Sequence, residues 1–191
     1  MMHTRVLAAF ALLVMSCAAT KSSNKVEVSC VSEVPEGKYS MSSADSSITG
    51  TFVQGKKDGT FSVFSSSGAQ AALIPFHAGQ IDGLVRLWFW SETNQGQLKL
   101  ESTYSAGKLH GQKRSWYPSG DRRGDFTYTS NTLDRAEGWK PDGSPLSAEE
   151  AAAMAAHDVD ADQHFYNLIV KIIDESLPDC SKKEEGRPTI P

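Results

Sequence analysis

One device, repeated three times, constrains this chain more than any other feature. "FVQGKKDGTFSVF", "FHAGQIDGLVRLW" and "YSAGKLHGQKRSW" obey a single rule: aromatic, two residues, Gly, three residues, Gly, four residues, aromatic. The positions are Phe52, Gly55, Gly59 and Phe64; Phe76, Gly79, Gly83 and Trp88; and Tyr104, Gly107, Gly111 and Trp116. Recurrence at such positions marks a repeat architecture, in which each unit buries its apolar surface against its neighbours.

Each unit reads as a β-hairpin. Asp58, Asp82 and His110 stand before the second glycines. Asp-Gly supplies the positive φ angles of a tight primed turn, so the reading places the turns there. The flanks alternate: Leu98, Leu100, Ser102 and Tyr104 fall on one face, and Lys99, Glu101 and Thr103 on the other. Period-two patterning predicts half-buried antiparallel strands. The spacing from Gly79 to Gly107 exceeds that from Gly55 to Gly79 because a polar loop from Ser91 to Gly96 is inserted. Phe64 and Trp116 are each followed four residues on by a glycine, and "WKPDG" at Trp139–Gly143 repeats that ending. It reads as a fourth, degenerate unit with "DFTYTS" as its incoming strand.

The pattern resembles MORN repeats, in the bacterial variant form associated with an antitoxin-like label. "GKLHGQKRSWYPSG" carries the closest likeness, "GKKDGTFSVFSSSG" is similar, and the unit at Gly79 departs by its insertion. The resemblance covers roughly residues 48 to 143. It implies a mainly β fold: an elongated, single-layer antiparallel sheet of repeated hairpins. It also implies an interaction or scaffold role rather than catalysis, with no cofactor.

The N-terminus carries a second resemblance. Arg5 precedes an apolar run from Val6 to Met15, too short to span a bilayer as a helix, which reads as a secretory signal over residues 1–16. Val14, Met15, Ser16 and Cys17 resemble a bacterial lipobox, which implies lipidation of Cys17 and anchoring in the cell envelope, at the outer membrane. Residues 17–29 then read as a flexible tether. With Cys17 lipidated, Cys30 and Cys180 remain as an even pair in an oxidising compartment; they read as a disulfide, with two free thiols as the alternative.

The hairpin repeats occupy residues 30–146, and the pattern then changes. Ser147 and Glu150 have capping-box spacing, and the alanines after them propagate a helix. "HDVDADQH" reads as a linker to a second helix, whose Phe165, Leu168, Ile169, Ile172 and Ile173 form an apolar stripe. Residues 147–178 are thus a short helical cap, and 179–191 a disordered tail.

The chain has 19 basic and 23 acidic residues, and loss of the signal removes only Arg5. No basic block supports nucleic-acid binding. The acids around His157 and His164 lack the glycine and distal glutamate of a calcium loop, and no nucleophile or phosphate motif is present. No catalytic residue or metal ligand is assigned. Arg86 and Arg114 each stand two residues before a tryptophan. With Trp88, Trp90 and Trp116 they read as a strip for docking an envelope protein or glycan; the alternatives are surface solvation or a core under the helix. Three functions follow: a lipid-anchored interaction module, an immunity protein against a toxin, or an envelope enzyme using His157 or His164.

Overall fold

The computed structural model describes residues 25–89, 93 and 96–181. The expected signal segment, Cys17 and Trp90 lie outside the described residues. Every named strand belongs to one antiparallel sheet. The first hairpin is β1 (Lys25–Val31) and β2 (Val34–Ser42). The second is β3 (Ser46–Val53) with an outgoing strand in two pieces, β4 (Lys56–Lys57) and β5 (Gly59–Ser65). The third is β6 (Gln70–His77) with β7 (Gln80–Ile81) and β8 (Gly83–Trp88). Then follow β9 (Leu98–Ser105) with β10 (Lys108–Trp116), and β11 (Arg122–Thr129) with β12 (Thr132–Gly138). Neighbours along the sheet are neighbours along the chain: β1-β2-β3-β5-β6-β8-β9-β10-β11-β12. This is the open sheet of hairpins that the repeat implies, in ten rows of strand. Residues 25–29 lie in β1 and are strand rather than tether.

The two glycines of each unit do different things, which corrects the turn placement. The turns are Gln54-Gly55, Ala78-Gly79 and Ala106-Gly107, with both residues at positive φ, the type I′ signature. The second glycine lies beyond the turn, also at positive φ (76° at Gly59, 110° at Gly83, 99° at Gly111), in a bulge of the outgoing strand. Phe52 opposes Lys57 while Thr49 opposes Ser62, so two extra residues are absorbed there. The Asp before it is not a turn residue: Asp58 Oδ2 accepts the Ala78 amide at 3.1 Å, and Asp82 Oδ2 accepts the Ala106 amide at 3.1 Å. Each acid thereby caps the next unit's turn. The turn residues also stack directly. Gly55, Gly79, Gly107 and Asn131 amides donate to Pro35, Lys57, Ile81 and Leu109 carbonyls at 2.8–3.1 Å.

That ladder exposes a unit the glycine rule overlooks. Ser32 and Glu33 form the first turn at positive φ, Gly37 (φ 82°) holds the bulge, and Glu36 accepts the Gln54 amide at 2.7 Å. Glu33 stands where later units have glycine, and Cys30 where they have an aromatic. The degenerate last unit is also a formed hairpin, turning at Ser130-Asn131. It has Arg135 in place of the bulge glycine and absorbs one extra residue instead of two. Opposite the turns, "SSSG", "YPSG" and "KPDG" close as matching loops, with Ser65, Tyr117 and Lys140 amides donating to Ala69, Asp121 and Ser144 carbonyls at 2.8 Å.

The C-terminal segment is a single helix, α1 (Ala148–Ser176), not two. Ser147 caps it through the reciprocal box with Glu150. Its 29 residues extend roughly 43 Å at about 1.5 Å each. Nine strand-to-strand steps of about 4.8 Å cover the same distance. The helix therefore crosses the whole sheet. It starts beside Gly138 of β12, passes β11, β10 and β9, and ends where Ser176 meets the Tyr39 hydroxyl of β2 at 2.7 Å. Its buried residues, Ala151, Ala155, Asp158, Asp162, Tyr166, Ile169 and Ile173, recur at steps of three or four. Seven residues advance about 10.5 Å, close to one hairpin, so the helix meets each repeat with the same face. Leu168 lies off this line and is 47% exposed. Beyond the helix, Cys180 Sγ stands 2.01 Å from Cys30 Sγ on β1, a disulfide that joins the end of the fold to its beginning.

Candidate functional site

The helix covers one face of the sheet and leaves the other open. On the open face a single register row crosses every hairpin: Glu27, Ser40, Thr49, Ser62, Leu73, Arg86, Glu101, Arg114, Asp125 and Glu137 are successive cross-strand partners. After Glu27 the row is neutral as far as Leu73, with hydroxyls at Ser40, Thr49 and Ser62. From Arg86 onward it carries charges, mostly of alternating sign. Arg86 Nε reaches Glu101 at 2.9 Å, and Arg122 Nη1 reaches Asp125 at 3.2 Å. Arg114 Nε lies 3.7 Å from Asp125, too far for a hydrogen bond. Opposite charges on directly paired positions stabilise a sheet by roughly 0.2–1 kcal/mol each, so these residues also order the surface.

The expected strip divides. Arg86 and Arg114 belong to the open-face row. Trp88 and Trp116, both half-buried, line clefts at the edge of the helix. Each tryptophan follows a bulge: Leu87 pairs with Leu100 but Trp88 with Leu98, and Ser115 pairs with Gly124 but Trp116 with Arg122. The residues left over by these bulges are Lys99 and Arg123. The equivalent residue of the preceding unit is Ala71. One repeat position thus holds Ala71, Lys99 and Arg123. Bulges re-aim side chains, and all three line the helix-side clefts.

A predominantly apolar cleft of about 280 Å3 lies between β9–β11 and the middle of α1. Phe89, Leu100, Trp116, Tyr117 and Pro118 form the apolar wall. Lys99, Arg123, His157, Asp158 and Asp162 supply the charged and titratable groups. A smaller cleft of about 80 Å3, lined by Ala71, Trp88 and Phe165, shares Lys99 and Asp162 with it.

Two ion pairs form the floor. Lys113, 1% exposed, bonds Asp162, and Arg123 holds Asp158 with both terminal nitrogens, Nη2 at 2.9 Å. These pairs explain why "HDVDADQH" stays helical: the two acids one turn apart face sheet cations and no linker is formed. Burial pushes the Asp162 carboxyl above the usual aspartate range, and the Lys113 charge offsets this only in part. The hydrogen bond to Asp158 raises Arg123 further. Behind the pairs lie three tyrosines. Burial raises Tyr104 and Tyr128 to about 12, and holds Tyr166 well above 10. Ser102 and the Tyr166 hydroxyl are 3.3 Å apart.

His157 lines the cleft but its side chain is 80% exposed, 3.6 Å from Asp158; His164 is exposed on the helix. Sequence reading missed Lys113, Arg123, Asp158 and Asp162 as a group. The available signal was parity, since Lys113 shares a face with Ser115 and opposes Ser102 and Phe126 of the core face.

Comparison with known protein families and with curated proteins found no match to this chain.

Proposed function

We propose that this chain is a non-enzymatic, lipid-anchored interaction module of a bacterial envelope. In this reading a MORN-like sheet presents its open face to an envelope protein or glycan. The observation that supports it is the row from Glu27 to Glu137, which crosses all ten strands on the face away from the helix. An open, ordered sheet surface of this extent suits recognition. Arg86 and Arg114 are its arginine anchors, a residue type enriched in interfaces. Anchoring rests on Cys17 and its likeness to a lipobox.

Two measurements test the reading. A photoreactive residue at Thr49 or Gln112, on the open face, is expected to crosslink an envelope component in cells. The same residue at His164, on the outer side of the helix, is not. Crosslinks from His164 alone would overturn the choice of face. Palmitate labelling is expected in the wild type and absent in Cys17→Ser; unlabelled wild type would remove the anchor.

A further inference from the structure

We propose that the cleft between α1 and β9–β11 binds a small organic anion with a flat apolar body, its charge met by Lys99 and its body packed on Trp116 and Tyr117. This site lies on the helix side of the sheet and does not depend on the open-face reading.

The first argument is shape and lining. The cleft is mostly apolar, with a few convergent polar groups, and at about 280 Å3 it is near the lower size of small-molecule pockets. Phe89 after β8, Trp116 at the end of β10 and Tyr117 just beyond it supply aromatic surface. Such walls accept a flat apolar ring.

The second argument is charge. Three cations surround this part of the seam: Lys99, Lys113 and Arg123. Among the described residues two acids face them, Asp158 and Asp162. Lys113 is committed to Asp162 and Arg123 to Asp158. Lys99 is left over. It acts on Asp162 through space and is exposed at the cleft, so its ammonium can turn toward a ligand. The described lysine, arginine and aspartate groups therefore sum to a net positive charge, and an anion is their complement.

The third argument is the repeat. The bulge position that carries Lys99 is Ala71 in the preceding unit, a buried residue that lines the smaller cleft. An exposed lysine is not needed to build the bulge, since alanine builds it too. Nor is it required by the two buried pairs. A ligand charge gives it a role that folding does not.

The test uses naphthoate and its uncharged amide, titrated calorimetrically into the protein without its signal peptide. Naphthoate is expected to bind at least tenfold more tightly than the amide. Lys99→Met, which keeps the aliphatic stem, is expected to abolish that difference with the thermal melt unchanged. Trp116→Ala is expected to weaken both probes. Equal affinity of the two probes for the wild type, no binding of either, or an unchanged preference in Lys99→Met would each overturn the proposal. Because Lys99 is exposed, misfolding of the informative variant is not expected, and its melt checks this directly.

Discussion

The seam between helix and sheet has two halves built on opposite principles. Over β2–β6 it is apolar. Tyr39, Phe52, Phe61 and Phe76 form a chain of ring contacts with centroids 5.3–6.0 Å apart, and Ile169 and Ile173 are buried in the same core cluster. Over β9–β11 the same helix stripe carries Asp158 and Asp162, opposed by Lys113 and Arg123, and the surfaces part into a cleft. The backbone repeat is the same in both halves. Apolar contacts stabilise without specifying alignment, whereas a buried carboxylate tolerates only the position that meets its cation. The apolar half thus contributes most of the stability. The charged half fixes which turn of the helix meets which hairpin, and leaves room for a ligand.

The disulfide is expected to have the largest effect, because it closes the apolar end. Cys30 and Cys180 are 150 residues apart, and in the chain-entropy model a loop of this length is worth about 5 kcal/mol. Cys30→Ser with Cys180→Ser should lower the denaturant midpoint accordingly, and hydrogen exchange should show the last helical turns losing protection first. Phe61→Ala comes next. Its ring is fully buried among three other aromatics, so a loss of about 3–5 kcal/mol is expected in chemical unfolding. Lys113→Met should cost about 3 kcal/mol at neutral pH by stranding Asp162. Because the Asp162 carboxyl is already raised, that loss should shrink as acid neutralises it.

The bulge glycines should not distinguish the halves. Gly59 and Gly111 both have positive φ, and an added Cβ meets nothing closer than ordinary contact at either. Alanine at each is expected to cost a similar amount, about 1–2 kcal/mol, from the left-handed backbone alone. Thermal melts of the pair check this; a large inequality would mean that the units are not equivalent. The smallest effect near neutrality concerns the tyrosines. Folded Tyr104 and Tyr128 titrate near 12, above their unfolded value near 10. Their contribution is therefore complete below pH 10 and is lost as pH rises from 10 to 12. Phenolate absorbance should stay low for these residues until alkaline unfolding begins.

Much of this was legible in the sequence, and the failures have physical causes. The three glycine-paired units, the degenerate fourth, the capping box and the Cys30–Cys180 pair are all found where the pattern places them. The Asp-Gly pattern points to the second glycine and the turn lies at the first, since turn and bulge both need positive φ and use the same residue. The first hairpin was hidden because Ser32-Glu33 reaches positive φ without glycine, held by the neighbouring turn. The helix was cut at Asp158–Asp162 because acids among alanines resemble a linker until their cations, 35 and 49 residues upstream, are known. Parity places Lys113 on the core face, but that Lys113 and Arg123 meet these acids follows only from the register and the path of the helix.

The account rests on the charged half specifying alignment rather than supplying stability, and a double-mutant cycle measures this directly. Lys113→Met, Asp162→Leu and the double variant would be compared by chemical unfolding. Replacement of a buried pair by apolar residues of similar size is often neutral, so the double variant should lie within about 1 kcal/mol of the wild type while Lys113→Met alone loses about 3. A double variant that loses as much as the two single variants together would contradict the account, because the pair would then be a main source of stability.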